Sequence, residues 1–186
     1  KAGGPYTMVV SGENTIIINN ILVGDVWLCS GQSNMELPMR RVSPLYEDEI
    51  KSANNPKIHY IKIPQRYNFK APQENIESVN WQEVNQENIS EFSAVAYFFA
   101  QELYESYNVP IGIINSSLGG SPAESWISED ALKAFPHYFD EAQKFKDDSL
   151  IKEIQNTDNQ NWKDWHNKLY NKDLGNKKNP WYNQSL

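Results

Sequence analysis

Two runs rich in β-branched residues lie near the start of the chain and are separated by a polar turn. Tyr6 to Ser11 and Thr15 to Asn19 flank Gly12-Glu13-Asn14, a pattern typical of a β-hairpin or of two neighbouring antiparallel strands. A hairpin of this size is only marginally stable alone. We therefore expect it to belong to a β-sheet module whose other strands precede Lys1.

Three short apolar runs predict a second sheet. Val26 to Cys29 is apolar on both faces, as expected for a parallel strand that is buried on both sides. Ile58 to Ile63 and Ile111 to Asn115 are interpreted as further strands of the same sheet. The chain is therefore expected to place the carboxyl ends of several strands at one edge.

A helix is predicted between the second and third of these strands. Apolar residues recur at the i, i+3, i+4, i+7 and i+11 positions of one helix face, namely Phe92, Val95, Ala96, Phe99 and Leu103. Asn88 with Glu91 three residues later predicts its start, and Asn108 before Pro110 predicts its end. Strand, helix and strand in this order indicate a right-handed crossover and a layered α/β fold.

The remaining segments are more polar. Residues 65–91 are interpreted as a loop. Ser128 is expected to open a helical segment that runs to about Ala134, and Phe139 to Phe145 is also interpreted as helical. Residues 147–186 are very polar, and their scattered apolar residues fit an amphipathic helix poorly.

Charge and composition exclude several classes of function. The 186 residues carry a formal net charge of −7, and the pI is about 5.0, which disfavours binding to nucleic acid or anionic lipid. The longest apolar run, Ala94 to Ala100, is far too short to span a membrane. A content of 21 Asn and six Trp suits a protein that works among sugars.

Cysteine and histidine are scarce. Cys29 is the only cysteine, so the sequence predicts neither an internal disulfide nor a cysteine-based metal site, and the thiol is interpreted as an inert core group. His59, His137 and His166 lack the spacing of zinc ligands. We therefore predict no metal site.

A serine follows the first apolar run in a tight, glycine-containing turn. The sequence from Cys29 to Met35 reads CSGQSNM and places Ser33 at the carboxyl end of a strand, where open α/β sheets gather their reactive groups. Backbone N–H groups there can stabilise the oxyanion formed when a serine attacks a carbonyl. The Gly119-Gly120 pair after the third strand adds a further N–H group. The pattern is not GxSxG, so an ordinary α/β-hydrolase elbow is not supported.

These residues carry a family resemblance. GDVWLCSGQSNME (24–36) and SSLGGSPAESW (116–126) resemble the sialate O-acetylesterase family of the SGNH/GDSL hydrolase superfamily. The resemblance covers roughly residues 6–128. It implies a three-layer, flavodoxin-like α/β core preceded by strands of a β-sandwich module, and it implies no cofactor.

The resemblance also implies roles for individual residues. Ser33 corresponds to the nucleophile, and the N–H groups of Ser33 and of Gly119 or Gly120 correspond to the oxyanion hole. Gln32 and Asn34 are expected to brace the serine turn by side-chain hydrogen bonds. Glu124 is expected to support the site at a helix start, whereas Trp126 is interpreted either as a packing anchor or as a sugar-stacking ring.

Two family motifs are not found. Members carry a GExN block and, near the C-terminus, an Asp-x-x-His pair that activates the serine, and here the nearest sequence is Asp164-Trp165-His166. We therefore expect the chain to be the front part of an esterase that lacks the catalytic His and Asp. The expected segments are 1–22, the end of the β-sandwich module, 23–135, the front half of the esterase domain, and 136–186, a polar, partly helical insertion.

The predicted function is that of a serine esterase that removes O-acetyl groups from a sugar. Its expected partners are an acetylated carbohydrate and the remainder of its own polypeptide, without nucleic acid or a membrane span, in an extracellular or periplasmic location. Sialate and xylan esters stay open as substrates. The alternative is a non-catalytic carbohydrate-binding or assembly module with a degenerate hydrolase core.

Overall fold

The protein is described by a computed structural model that covers residues 1–76, 79–169 and 172. Six strands and six α-helices lie in this part of the chain: β1 Gly3–Ser11, β2 Thr15–Val23, β3 Asp25–Gly31, α1 Ser33–Glu36, α2 Met39–Ser52, β4 Asn54–Lys62, β5 Gln82–Asn85, α3 Ala94–Tyr107, β6 Ile111–Ser117, α4 Glu129–Leu132, α5 Pro136–Lys144 and α6 Asp148–Leu169. They form two compact units. The first comprises residues 1–68 and 72–126, and the second comprises residues 69–71 and 127–186.

A mixed four-stranded sheet organises the first unit. Its order is β3-β6-β4-β5, with β3, β6 and β4 parallel and β5 antiparallel to β4. The three apolar strands predicted from the sequence are confirmed, and the fold is mixed α/β. The loop predicted over residues 65–91 is wrong at β5. Only one of its four side chains, Val84, is buried, so these residues show no sequence pattern typical of a strand. They form a strand because they pair with β4.

The core of this unit lies between the sheet and α3. The helix packs against β4 and β6, where Ile58, Ile111 and Ile113 are fully buried. Gly24, between β2 and β3, permits a close approach to the start of β6, because a Cβ atom there would lie 1.9 Å from the carbonyl oxygen of Pro110. The next amide, Asp25 N–H, donates to that oxygen at 3.0 Å, which sets the register of β3 beside β6.

The expectation that the first parallel strand is buried on both faces is wrong. β3 lies at the edge of the sheet, and its side chains Val26 and Leu28 are 60% and 67% exposed. Trp27, on the other face, packs edge-on against Phe99 of α3 with ring centroids 5.2 Å apart. Among the described residues of the unit, only one face and one edge of this apolar strand are therefore covered.

The ends of α3 follow from two local residues. Ser93 caps its start, since Ser93 Oγ accepts a hydrogen bond from Ala96 N–H at 3.2 Å. The predicted start at Asn88 and Glu91 is wrong, because those residues belong to a separate 3-10 turn that precedes the helix. The predicted end is confirmed, since Asn108 adopts the left-handed conformation that terminates helices.

The hairpin is confirmed as well. β1 and β2 pair antiparallel from Ser11 and Thr15 at the turn back to Gly3 and Val23. Hydrogen bonds tie it to the four-stranded sheet, from Lys57 Nζ to a carbonyl oxygen of β1 and from a β2 asparagine side chain to β5. The larger β-sandwich remains a prediction.

The second unit is helical in its described part. Ser128 caps α4 as predicted, by accepting a hydrogen bond from Ala131 N–H, and α5 contains the expected helical stretch. The expectation that the following polar segment fits a helix poorly is wrong, because α6 runs for 22 residues without a buried side chain. Contacts within α6 support it, such as the hydrogen bond from Gln160 to Asp164 and the stacking of Trp162 on His166.

Residues 173–186, part of the predicted insertion, lie outside the described residues. No helix in the described part of the chain is both long and apolar enough to cross a membrane.

Candidate active site

Two turns meet at the carboxyl ends of β3 and β6. The parallel register pairs Gly31 with Ser117, and the pairing continues as Leu118 N–H donates to the Gly31 carbonyl oxygen at 3.0 Å. The chain beyond β3 reaches Ser33 and the chain beyond β6 reaches Gly119. A Cβ atom placed on Gly119 would lie 3.6 Å from Ser33 Cβ. The structure therefore brings the predicted nucleophile and the double-glycine turn into contact.

Ser33 is exposed and its polar groups face its neighbour Gln32. The Ser33 hydroxyl donates to Gln32 Oε1 at 2.9 Å, and Ser33 N–H donates to the same oxygen at 3.2 Å. Gln32 thus caps the short helix α1 and braces the serine turn with its side chain. The hydroxyl itself remains open to a ligand that displaces this amide oxygen.

The other two supporting residues make fewer contacts. Asn34 is exposed on α1, and no bracing hydrogen bond from its side chain is present among the described residues. Glu124 is half-buried in the 3-10 helix Ala123–Trp126, where it lies in the first turn as the sequence suggested. Trp126 is partly exposed, and its ring N–H donates to Ser121 Oγ at 2.9 Å.

The two glycines of the second turn differ in how their N–H groups are used. Gly119 N–H donates to Glu36 Oε2. Gly120 has a positive φ of 79°, has open space beside it, and its N–H group has no acceptor in the described part of the chain. Gly120 N–H is thus the one available to a ligand at this turn.

Glu36 is a site residue that the sequence reasoning missed. Its carboxylate also accepts a hydrogen bond from Gln65 Nε2 at 2.7 Å. The pKa of Glu36 is lowered by the Gln65 hydrogen bond, by the Gly119 N–H group and by the charge of Lys62, so the group is an anion at neutral pH. Its position three residues after Ser33, within one helical turn, was the available signal.

Asn115 of β6 supports the site through buried hydrogen bonds, and the sequence reasoning missed it as well. It is 1% exposed on β6, and its side-chain amide donates to the carbonyl oxygens of Cys29 and Met35, both at 3.4 Å. Its own Oδ1 accepts from the buried Ser117 hydroxyl at 2.8 Å. Because buried polar groups must be paired, this network fixes α1 over the ends of β3 and β6.

A cavity of about 260 Å³ lies beside the end of β6, where Leu118 leads into the glycine turn. Gln65, which bonds Glu36, and Leu118, which precedes Gly119, are part of its wall. The other lining side chains include Arg66, Tyr67 and Trp126. The combination of aromatic surface, amide and guanidinium groups suits a polar ring-shaped ligand such as a sugar.

No histidine of the first unit reaches Ser33. His59 pairs with Gly112 in the register of β4 and β6, five residues before Ser117, which places it roughly 16 Å from the site along the sheet. Burial lowers the pKa of His59. His137 and His166 belong to the second unit.

Cys29 is buried and its pKa is raised by burial, as in an unreactive thiol. Within residues 1–76, 79–169 and 172, no group of three or more His, Cys, Asp or Glu side chains is arranged to hold a metal ion.

An exposed serine at the carboxyl edge of a mixed α/β sheet is an arrangement typical of hydrolases, and comparison with known proteins agrees. The family model "Carbohydrate esterase, sialic acid-specific acetylesterase" matches residues 23–169. The chain therefore belongs to this family of carbohydrate esterases.

Individual relatives share part of their length with the chain. Human sialate O-acetylesterase is 32% identical over 148 residues, which cover 72% of this chain and 28% of that protein. The rat sialate O-acetylesterase is 31% identical over 146 residues, covering 72% and 27%. The crystal structure of a carbohydrate acetylesterase from Xanthomonas citri matches with a TM-score of 0.66 and 40% identity, over 71% of this chain and 30% of that one. The chain thus spans less than a third of the length of these relatives.

Proposed function

We propose that this chain provides the nucleophile and part of the oxyanion hole of a serine esterase that removes acetyl groups from a sugar. The observation that carries the proposal is the contact between the exposed Ser33 turn and the Gly119-Gly120 turn at the carboxyl ends of two parallel strands. Membership of a carbohydrate esterase family supports the same chemistry.

In the proposed reaction Ser33 Oγ attacks the acetyl carbonyl carbon while its proton passes to a general base. The carbonyl oxygen becomes an oxyanion that displaces Gln32 Oε1 and accepts hydrogen bonds from Ser33 N–H and Gly120 N–H. The intermediate collapses, the sugar oxygen leaves with a proton, and the acetyl group remains on Ser33. Water then attacks the acetyl-enzyme, releasing acetate and restoring the serine.

The general base is proposed to come from a His–Asp pair in the remainder of a longer esterase polypeptide. The position of His59, far along the sheet, supports this origin. The same remainder is proposed to cover the open edge of β3, whose Val26 and Leu28 side chains are exposed.

In this proposal the complete domain has three layers of the SGNH type. The hairpin is the end of a β-sandwich module over residues 1–22, residues 23–135 form the front half of the esterase domain, and residues 136–186 form an insertion.

The substrate is proposed to be an O-acetylated sugar whose ring enters the cavity beside Leu118. Arg66 and Trp126 support this, since a guanidinium pairs with a sugar carboxylate and an indole stacks on a sugar ring. The names of the relatives support sialate as that sugar, and the proposed location is extracellular or periplasmic.

The test is covalent labelling by a fluorophosphonate in the longer esterase and in the 186-residue chain alone. We expect rapid labelling in the longer protein, none in its Ser33→Ala variant, and unchanged labelling in Ser11→Ala, which removes an exposed hydroxyl from the hairpin. The chain alone is expected to show little turnover of an aryl acetate, limited to the residual about 10³–10⁴ over water that a triad retains without one member. Enzyme-like turnover by the chain alone would contradict the missing base. Full labelling of Ser33→Ala would contradict the nucleophile.

A second candidate is a non-catalytic carbohydrate-binding module, which the aromatic lining of the cavity favours. It predicts that the longer protein binds an acetylated sugar in calorimetry but gives no labelling of Ser33. Labelling that depends on Ser33 excludes this candidate.

A further inference from the structure

Glu36 links three segments of the proposed active site. It is the last residue of the four-residue helix that Ser33 begins, so both side chains leave from one helical turn. Oε2 accepts from Gly119 N–H and Oε1 accepts from Gln65 Nε2 at 2.7 Å. Gln65 Nε2 also donates to the Ser117 carbonyl oxygen at 2.9 Å. A single carboxylate therefore connects the serine turn, the glycine turn and the segment that follows β4.

This contact determines how closely the glycine turn approaches Ser33. A Cβ atom at Gly119 would lie 2.8 Å from Glu36 Oε2 and 3.7 Å from Ser33 Cα, so a side chain there would push the carboxylate away from the turn. Hydrogen bonds to an ionised carboxylate are stronger than those between neutral groups. The carboxylate thus holds the turn where Gly120 N–H can face an ester bound at Ser33.

The charge of Glu36 is stabilised by its surroundings. The Gln65 hydrogen bond contributes most to lowering its pKa, followed by Gly119 N–H, and Lys62 at the end of β4 is the charged group that acts on it. The group is consequently ionised over the whole range in which a serine esterase would work.

We propose that Glu36 is a positioning residue that holds the Gly119-Gly120 turn against Ser33, and that Gly119 N–H is committed to this contact so that Gly120 N–H is left for the oxyanion. The inference rests on the proposed esterase function for its catalytic meaning. The hydrogen bond itself is tested independently of any activity.

The first experiment follows backbone amides of the 186-residue chain by NMR with ¹⁵N-glycine and ¹³C-carbonyl leucine. Only two Leu-Gly pairs occur in the sequence, Leu118-Gly119 and Leu174-Gly175, so the Gly119 signal is one of two. We expect one of them to move with pH at a midpoint below the ordinary glutamate pKa of about 4.3. In Glu36→Gln that titration disappears while the other glycine signals keep their positions.

The second experiment measures aryl acetate hydrolysis by the longer esterase. A glutamine at position 36 keeps one acceptor oxygen but turns an NH₂ group towards a donor, so it cannot bind both Gly119 N–H and Gln65 Nε2. We expect kcat to fall about 10- to 100-fold with KM nearly unchanged, because a displaced turn misplaces its oxyanion donor. The matched variant Glu13→Gln removes the same charge from the exposed hairpin turn and is expected to leave both constants unchanged.

The outcomes separate the two proposals. If neither Leu-Gly pair titrates, the Glu36 contact is overturned whatever the esterase does. If Glu36→Gln keeps the wild-type kcat, the positioning role of Glu36 is overturned. If Gly119 titrates but Ser33 is not labelled, the contact stands, and the esterase function fails together with the catalytic role of Glu36.

Discussion

At the scale of single residues, a few buried polar groups join the segments on which the site is built. Tyr60 of β4 is 3% exposed, stacks on Phe92 with ring centroids 4.1 Å apart, and its hydroxyl accepts a hydrogen bond from Ser93 N–H at 3.2 Å. Ser93 in turn caps α3. A single phenol therefore helps to fix the helix start over the sheet.

Tyr60→Phe is expected to destabilise the chain by about 1–3 kcal/mol, because it leaves the buried Ser93 N–H without an acceptor. Urea unfolding followed by circular dichroism measures this loss. Tyr107→Phe, at a position that is 72% exposed, serves as the control and is expected to change little. Equal stability of the wild type and Tyr60→Phe would show that this hydrogen bond contributes nothing.

Alkaline pH probes the same residue. Burial raises the pKa of Tyr60 to about 12, above the value of about 10 in an unfolded chain. The folded state then retains a proton that the unfolded state loses. The contribution of Tyr60 to the free energy of unfolding is therefore fully present below pH 10 and is lost as the pH rises towards 12. We expect this decline to be shallower in Tyr60→Phe than in the wild type, as measured by the urea midpoint between pH 9 and 12. Parallel declines would contradict the raised pKa.

At the scale of elements, β3 and β6 share one register but differ in burial. Ile113 of β6 is 1% exposed, whereas Leu28 of β3, one strand further out, is 67% exposed. Both strands read as equally apolar in the sequence. The position of each strand in the sheet, which depends on pairing partners distant in the chain, decides how much of that apolar surface is buried.

Ile113→Ala is expected to cost about 2–5 kcal/mol and Leu28→Ala about 0.5 kcal/mol or less in the 186-residue chain. If the remainder of the esterase covers the β3 edge, Leu28→Ala becomes costly in the longer protein, at about 2 kcal/mol or more. Chemical unfolding of both variants in both lengths measures the difference. A cost for Leu28→Ala that is equally small in the longer protein would contradict the proposed cover.

At the scale of the whole molecule, the long helices of the two units differ in how much packing stabilises them. α3 of the first unit buries Ala94, Ala96, Tyr97 and Ala100, whereas α6 of the second buries no side chain. An isolated helix in water is marginal, because most helix stability in proteins comes from packing of an apolar face.

We therefore expect backbone amides of α6 to exchange with solvent at least about tenfold faster than those of α3. Hydrogen–deuterium exchange with peptide-level mass spectrometry measures both helices in one sample. Equal protection of the two helices would show that α6 is stabilised to the same degree as α3 and would contradict this prediction.

What the sequence determined by itself is local. Strand runs such as Ile111 to Asn115, the αL stop at Asn108 and the glycine turn at 119–120 follow from residue type and spacing. The family motif predicts Ser33 as the nucleophile. The start of α3 was misplaced because both Asn88 and Ser93 are good caps, and only packing selects between them.

The tertiary structure alone decided which groups meet. β5 forms because it pairs with β4, and β3 is exposed because it is the edge strand of the four-stranded sheet. Glu36 and Gly119 are 83 positions apart in the sequence, and they are in contact because the parallel register of β3 and β6 brings the ends of the two strands together. Spacing along the chain carries no information on such a contact, since long-range pairing depends on the free energy of the whole sheet rather than on the preferences of its residues.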